Sequence, residues 1–358
     1  MRSALRSVLI ATWIAALPDA SFAERPAGIW ISPNELQAIP VTGPAWRNLK
    51  AEADQKAESP DLADQNDRDN VRVLAKALIY ARARQEVYRQ EVIAACLSIA
   101  GTEDSATTLA LGRELIAYVI AADLVRLPKA DDQSFRAWLR SVRHKTLKNG
   151  RTLVSTHEDR PNNWGTHAGA SRVAIAVYLR DKPEIAKCAR ILKGWLGDRR
   201  AYSGFKYGND LSWQAMPQSP IGINPRSATK QGHSIDGVLA DDQRRGGSFA
   251  WPPSKENYVY EGLQGALAQA VILHRVGYDV WNWEDKALLR AFEWLHTQAR
   301  FPAVGDDTWQ PHIINHYYKA NFPAPIPTRP GKNVGWTDWT HSIALSSSSR
   351  KRRNSRER

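Results

Sequence analysis

The chain has 358 residues, 49 Lys and Arg against 37 Asp and Glu, a formal net charge of +12, 43% hydrophobic residues, 14 Trp and 2 Cys. That length and apolar fraction exclude general disorder and fit one large domain or two ordinary ones. Two cysteines exclude a disulfide-dense scaffold or a thiolate metal cluster, and no apolar run beyond the N-terminus is long enough for a bilayer, which excludes an integral membrane protein.

The first 23 residues read as a cleaved secretory leader. Arg2 and Arg6 precede a short apolar core from Val8 to Leu17, and Ser21-Phe22-Ala23 forms a small-x-small cleavage signal before Glu24. A periplasmic or secreted protein is expected. An oxidising compartment permits a disulfide between Cys96 and Cys188, but both lie in apolar helical patterns, and two buried free thiols fit equally well.

Residues 24–345 read as a single helical body. Asn70 to Ala100 is rich in helix formers, with no Pro or Gly, and predicts one long helix or two. Leu111, Leu115, Val119 and Ala122 recur at helical spacing in the next segment. Further helices are expected over Asp132–His144, Asn163–Leu179, Pro183–Leu196, Val259–His274 and Ala287–His296. No segment sustains the alternation of a strand, and no fixed-period repeat is present. The expected fold is all-α, an α/α toroid or incomplete barrel of antiparallel helix pairs with long functional loops at Arg199–Pro253 and Phe301–Thr340. The tail, 346–358, has six basic residues and one acidic, and predicts disorder. Leader and tail hold half of the net charge, so the body is only mildly basic, a weak pointer to a polyanionic partner.

Three clusters carry chemistry. In His157–His167, Asn162 is a candidate N-cap, and Asn163 and His167 then share a helix face; an amide and an imidazole suit hydrogen bonding to a carboxylate. The bland reading makes both asparagines caps and His167 a satisfied core histidine. In the second cluster, His233 precedes Asp241-Asp242-Gln243-Arg244-Arg245, then Trp251, Tyr258 and Tyr260. Arginines offer planar donors for carboxylates, and a guanidinium beside a tyrosine favours its phenolate. One of the two arginines is expected merely to pair with a neighbouring aspartate, and the tyrosines could simply pack. In the third, Trp309, His316 and Trp336 lie in loop-rich sequence where aromatic faces could stack on sugars, or fill the core.

These stretches, with Ile29-Trp30-Ile31-Ser32-Pro33, ALGRELIAYVIAADL, RPNNWGTHAG, DDQRRGG, NYVYEGLQGAL and GWTDWTH in order along the chain, resemble the alginate-lyase superfamily of polysaccharide lyases. The resemblance covers most of the body and implies a helical toroid and β-elimination on a uronate polymer such as alginate or glucuronan. By that resemblance Asn163 matches the asparagine that neutralises the substrate carboxylate. Tyr258 matches the tyrosine five residues before a Leu-Gln pair, here Leu263-Gln264, and Arg245 matches the arginine upstream of it. Trp164 stands where the best-known alginate lyases have histidine, leaving His167 or His233 to replace it, and the Arg245-to-Tyr258 gap is longer than in those relatives. Both departures point to a different branch and leave the polymer open.

A uronate C5 proton becomes acidic once the carboxylate is neutralised, a task that suits Asn163, His167 and Arg245. Tyr258 is the candidate acid, base or both; if base and acid lie on opposite sugar faces, His167 or His233 would be the base. Asn162, Trp164, His233, Arg244, Tyr260, Trp251, Trp309, His316 and Trp336 are the candidate substrate contacts. An anionic polysaccharide is the expected partner, with no metal, cofactor, nucleic acid or membrane required. The rivals are a glycoside hydrolase using two of Asp236, Asp241, Asp242, Asp306 and Asp307, and a non-catalytic secreted carbohydrate-binding protein.

Overall fold

The structure, a computed structural model, describes residues 28–256, 258–326 and 330–342. The expected leader and the tail 346–358 lie outside these residues. Three helices are buried on nearly every side: α5 (Thr108–Val125), α8 (Asn163–Leu179) and α11 (Val259–Arg275). Helices of that kind belong inside a protein. With α3 (Asp69–Ala83) they form an inner row in the order α3, α5, α8, α11. Outside the row lie α2 (Gly43–Ala53), α4 (Glu86–Ser98), α6 (Lys129–Val142), α7 (Leu153–Asp159), α9 (Lys182–Leu196) and α12 (Trp283–Glu293). Among these, α6 and α9 present an apolar stripe inward and charge outward.

The row is drawn tight by small residues. A Cβ at Gly112 of α5 would lie 2.8 Å from Ala168 N of α8, and one at Gly169 would lie 2.6 Å from Gln269 Nε2 of α11. Gly265 packs on Thr166, and Gln269 Nε2 donates to Thr166 O at 2.9 Å, so position advances together along α8 and α11 and the two run parallel. Arg84, Arg126 and Arg180 end α3, α5 and α8, each in the left-handed conformation, and the outer helix begins within three residues. Such short connections give antiparallel hairpins. The fold is therefore all-α, an arc of helical hairpins of the α/α toroid kind.

The arc is closed by a strap formed from the C-terminal segment. Asn333 Nδ2 donates to Gln264 O of α11, and Trp336 Nε1 donates to Val71 O of α3. A short helix, α14 (Thr337–Thr340), then packs on α2. Trp339 Nε1 donates to Pro40 O, fastening this end to the beginning of the described chain. Only β1 (Thr229–Lys230) and β2 (His233–Ser234) form a sheet among the described residues.

The region expected to form one long helix or two is two, broken at the left-handed Arg84. The unanticipated helices α1 (Pro33–Gln37), α2, α7 and α13 (Gln310–Tyr318) are short or lie in proline- and aromatic-rich sequence. Cys96 and Cys188 are free and buried, each thiol pushed up by desolvation, that of Cys188 to about 12. Among the described residues no helix is long and apolar enough to cross a membrane.

Candidate active site

The parallel inner helices α8 and α11 bring their N-termini to the same end of the arc. Asn162 is extended, and its side chain caps α8 by accepting from Trp164 N–H at 3.3 Å. The N–H of the intervening Asn163 donates to Asp242 Oδ1 at 3.1 Å. Asp242 lies in α10 (Ala240–Gln243) and is buried; desolvation first, and its neighbour Asp241 second, push its carboxyl well above the ordinary range. Gly262 of α11 makes room for it, because a Cβ there would collide with Asp242 Oδ2.

The turn after α10 sends its two arginines apart. Arg244 Nε donates to Asp241 Oδ1 at 2.8 Å, which is the pairing expected of one of them. Arg245 stands 3.9 Å from Asp242, but its hydrogen bond goes from Nη1 to Asn163 Oδ1 at 2.9 Å. Its guanidinium also lies over the ring of Tyr258, 3.6 Å from the centroid. A guanidinium can only donate, so the Asn163 oxygen must face it and the Nδ2 group is left to donate elsewhere. Tyr258 caps α11 and is 39% exposed. Asn163, Arg245 and Tyr258 thus form one contact chain at two helix N-termini, whose partial positive charges favour an anion.

His167 lies one turn below Asn163 and is completely buried. Its Nε2 is 3.6 Å from Glu261 Oε2, too far for a hydrogen bond, and neither ring nitrogen has a hydrogen-bond partner. Burial lowers the imidazole to about 4, so it is neutral near pH 7. Glu261 also binds Arg113 of α5 and, at 2.9 Å, Lys332 of the strap. Burial opposes its ionisation, but the cations Arg113 and Lys332 favour the carboxylate and hold it below the usual range. Asn163 is itself only 1% exposed, but both ring nitrogens of His167 are sealed, so the expected catalytic imidazole lies in the buried floor beneath Asn163 and away from the exposed Tyr258.

The remaining candidates divide. Trp164 is half-buried on the first turn of α8. His233 stacks on Trp251 with ring centroids 4.5 Å apart, both half-buried. Among the described residues no hydrogen bond or ring contact joins that stack to Asn163, Arg245 or Tyr258. Tyr260, Trp309 and Trp336 were expected at a groove but are buried. Tyr260 Oη donates to Phe301 O, and Trp336 Nε1 is bound to α3, so these rings fill the scaffold. His316 lies edge-on to Tyr317 and His341 in an aromatic cluster, where burial lowers it to about 4. Arg244 is committed to Asp241. Glu261, Arg113 and Lys332 were not anticipated; the signal for Glu261 was its place three residues after Tyr258, the same helix face.

A family model described as alginate lyase matches residues 46–205. Over those residues the chain is similar to the alginate lyase family. The match covers the inner row from α3 to α8 and includes Asn162, Asn163 and His167, while Arg245, Tyr258 and Lys332 lie beyond it. The match supports polysaccharide lyase activity in general terms, with an anionic polysaccharide as the kind of substrate it implies. No curated protein matches the chain. Among the described residues no three His, Cys, Asp or Glu side chains converge to hold a metal ion.

Proposed function

We propose that this protein cleaves a uronic-acid polymer, alginate or a glucuronan-like chain, by β-elimination, leaving a 4,5-unsaturated uronate end. The observation that carries the reading is the Asn163–Arg245–Tyr258 contact chain. In this mechanism Asn163 Nδ2 and the free N–H groups of Arg245 donate to the C5 carboxylate. They stabilise the charge that develops as the C5–H bond breaks. Tyr258 is the exposed proton carrier beside them. Its phenolate oxygen takes the C5 proton, the electron pair forms the C4–C5 double bond, and the C4–O4 bond breaks toward O4. The same hydroxyl then returns the proton to O4, so no water is consumed. Arg245 over the ring attracts the negative charge that this cycle places on the tyrosine.

One tyrosine serving both steps fits a site whose nearest imidazole is sealed. The carboxylates a hydrolase would need are engaged: Asp241 with Arg244, Asp236 with Arg290, Asp306 with Arg68, and Asp307 with Gln264 and Gln310. Asp242 is buried against the Asn163 backbone. A secretory leader over residues 1–23 and a periplasmic or secreted location belong to the same proposal. N-terminal sequencing of the exported protein tests them, with Glu24 as the expected first residue.

The activity test is ultraviolet absorbance with polymannuronate, polyguluronate, glucuronan and glycosaminoglycans. Elimination creates a conjugated double bond and hydrolysis does not. A rise with one polymer, lost in Tyr258→Phe, is expected. New reducing ends without absorbance would replace the reading by a hydrolase, and tight binding without either by a carbohydrate-binding protein.

A further inference from the structure

The strap that closes the arc also delivers a cation to the site. Lys332 sits on a fixed backbone: Asn70 Nδ2 donates to its carbonyl at 2.6 Å. The following residue, Asn333, donates to Gln264 O at 3.2 Å and accepts from Val334 N–H at 2.8 Å. Asn70, Asn333 and Val334 are fully buried. The preceding Gly331 permits the turn, since a Cβ there would collide with Val334 O. From this anchored point Nζ reaches Glu261 Oε1.

Glu261 is one carboxylate shared by two cations, Arg113 and Lys332, beside a neutral His167. Within this trio the cations outnumber the carboxylate by one, and the nearby carboxyls of Glu114 and Asp307 are both pushed up by burial. Arg113 is sealed, its side chain 5% exposed, whereas Lys332 keeps 29% of its side chain exposed. Of the two, Lys332 is the cation that can meet a ligand. Glu261 follows Tyr258 by three residues on one face of α11, and Arg245 lies over Tyr258. Two cations thus meet side chains three residues apart at the start of α11, Arg245 at Tyr258 and Lys332 at Glu261. The lysine ammonium has three donors, with one bond to Glu261 in place.

We propose that Lys332 binds the carboxylate of the sugar next to the one being cleaved, so that the site selects adjacent uronates. The inference rests on the lyase reading above. A polymer with a charge on every sugar meets a matching series of cations. A polymer whose uronates alternate with other sugars presents no carboxylate there.

The test compares the full exported chain with Lys332→Met and Lys332→Arg, by absorbance, on the active homopolymer among polymannuronate, polyguluronate and glucuronan. Loss of one partly exposed charged contact predicts a KM about tenfold higher in Lys332→Met, with a smaller change in kcat. The difference narrows as salt rises, and Lys332→Arg restores most of it. Equal KM values in Lys332→Met and the parent would overturn the inference. So would a loss of thermal stability and kcat in Lys332→Met with an unchanged KM, since Lys332 would then be only a strap anchor. If the parent releases no unsaturated product from any polymer, the lyase reading itself fails. Calorimetric binding of the same polymers then decides the subsite: weaker binding by Lys332→Met supports it, and equal binding removes it.

Discussion

Arg244 and Arg245 are identical neighbours in sequence, and the structure predicts opposite phenotypes for their loss. Arg244→Ala removes a 2.8 Å charged bond from Asp241, whose side chain is 2% exposed. Breaking a buried pair costs about 3–5 kcal/mol, and with Arg244 24% exposed the loss falls to about 2–3 kcal/mol. For a body of this size that lowers Tm by about 3–5 °C. Activity below that temperature should stay within about threefold of the parent, an effect under 1 kcal/mol. Arg245→Ala instead frees the Asn163 amide and, on the proposed mechanism, removes a donor to the substrate carboxylate. A charged hydrogen bond of about 2 kcal/mol corresponds to roughly thirtyfold, and loss of a donor to developing charge to about 10²–10³ in kcat. The assay pairs absorbance kinetics with thermal unfolding followed by circular dichroism. An Arg244→Ala enzyme that loses kcat at full stability, beside an Arg245→Ala enzyme that keeps it, would refute the assignment of roles.

Three further outcomes are expected. Tyr258→Phe should fold normally, because the hydroxyl makes no hydrogen bond within the described protein, yet lose at least about 10² in kcat; a variant retaining a tenth of parental turnover would exclude the tyrosine cycle. Gly262→Ala should drive a Cβ into Asp242 and shift the support of Asn163, costing about 1–3 kcal/mol in unfolding and lowering kcat as well; an unchanged Tm would show that α10 yields freely. Stability should fall as pH drops from about 6.5 to about 4. His167 is held at about 4 in the fold against about 6.5 unfolded, so the unfolded chain binds more protons across that window. The contribution is present above the unfolded value and is worth up to about 3 kcal/mol. A His167→Gln variant with the same acid slope in chemical denaturation would show that this imidazole is not its source.

The sequence by itself determined the helical class, most helix positions and the cap at Asn162. Those depend on apolar spacing and on residues next to one another. Pro161 and Asn162 before an apolar run mark a helix start because the capping bond is local. The pattern also singled out Asn163, Arg245 and Tyr258, with the resemblance assigning their roles. Tertiary structure decided which arginine meets Asn163, because Arg244 and Arg245 differ only in the direction the turn after α10 gives them. It also decided the fate of the aromatic residues. Tyr260, Trp309 and Trp336 carry the same rings as groove residues, and only long-range packing and their partners on other elements place them inside. His167 shares a face with Asn163 as its spacing said, but the close approach of α11 seals it. Lys332 was illegible for a related reason. Its partner Glu261 is 71 residues away in sequence, and the two meet only because the strap crosses the gap between α11 and α3.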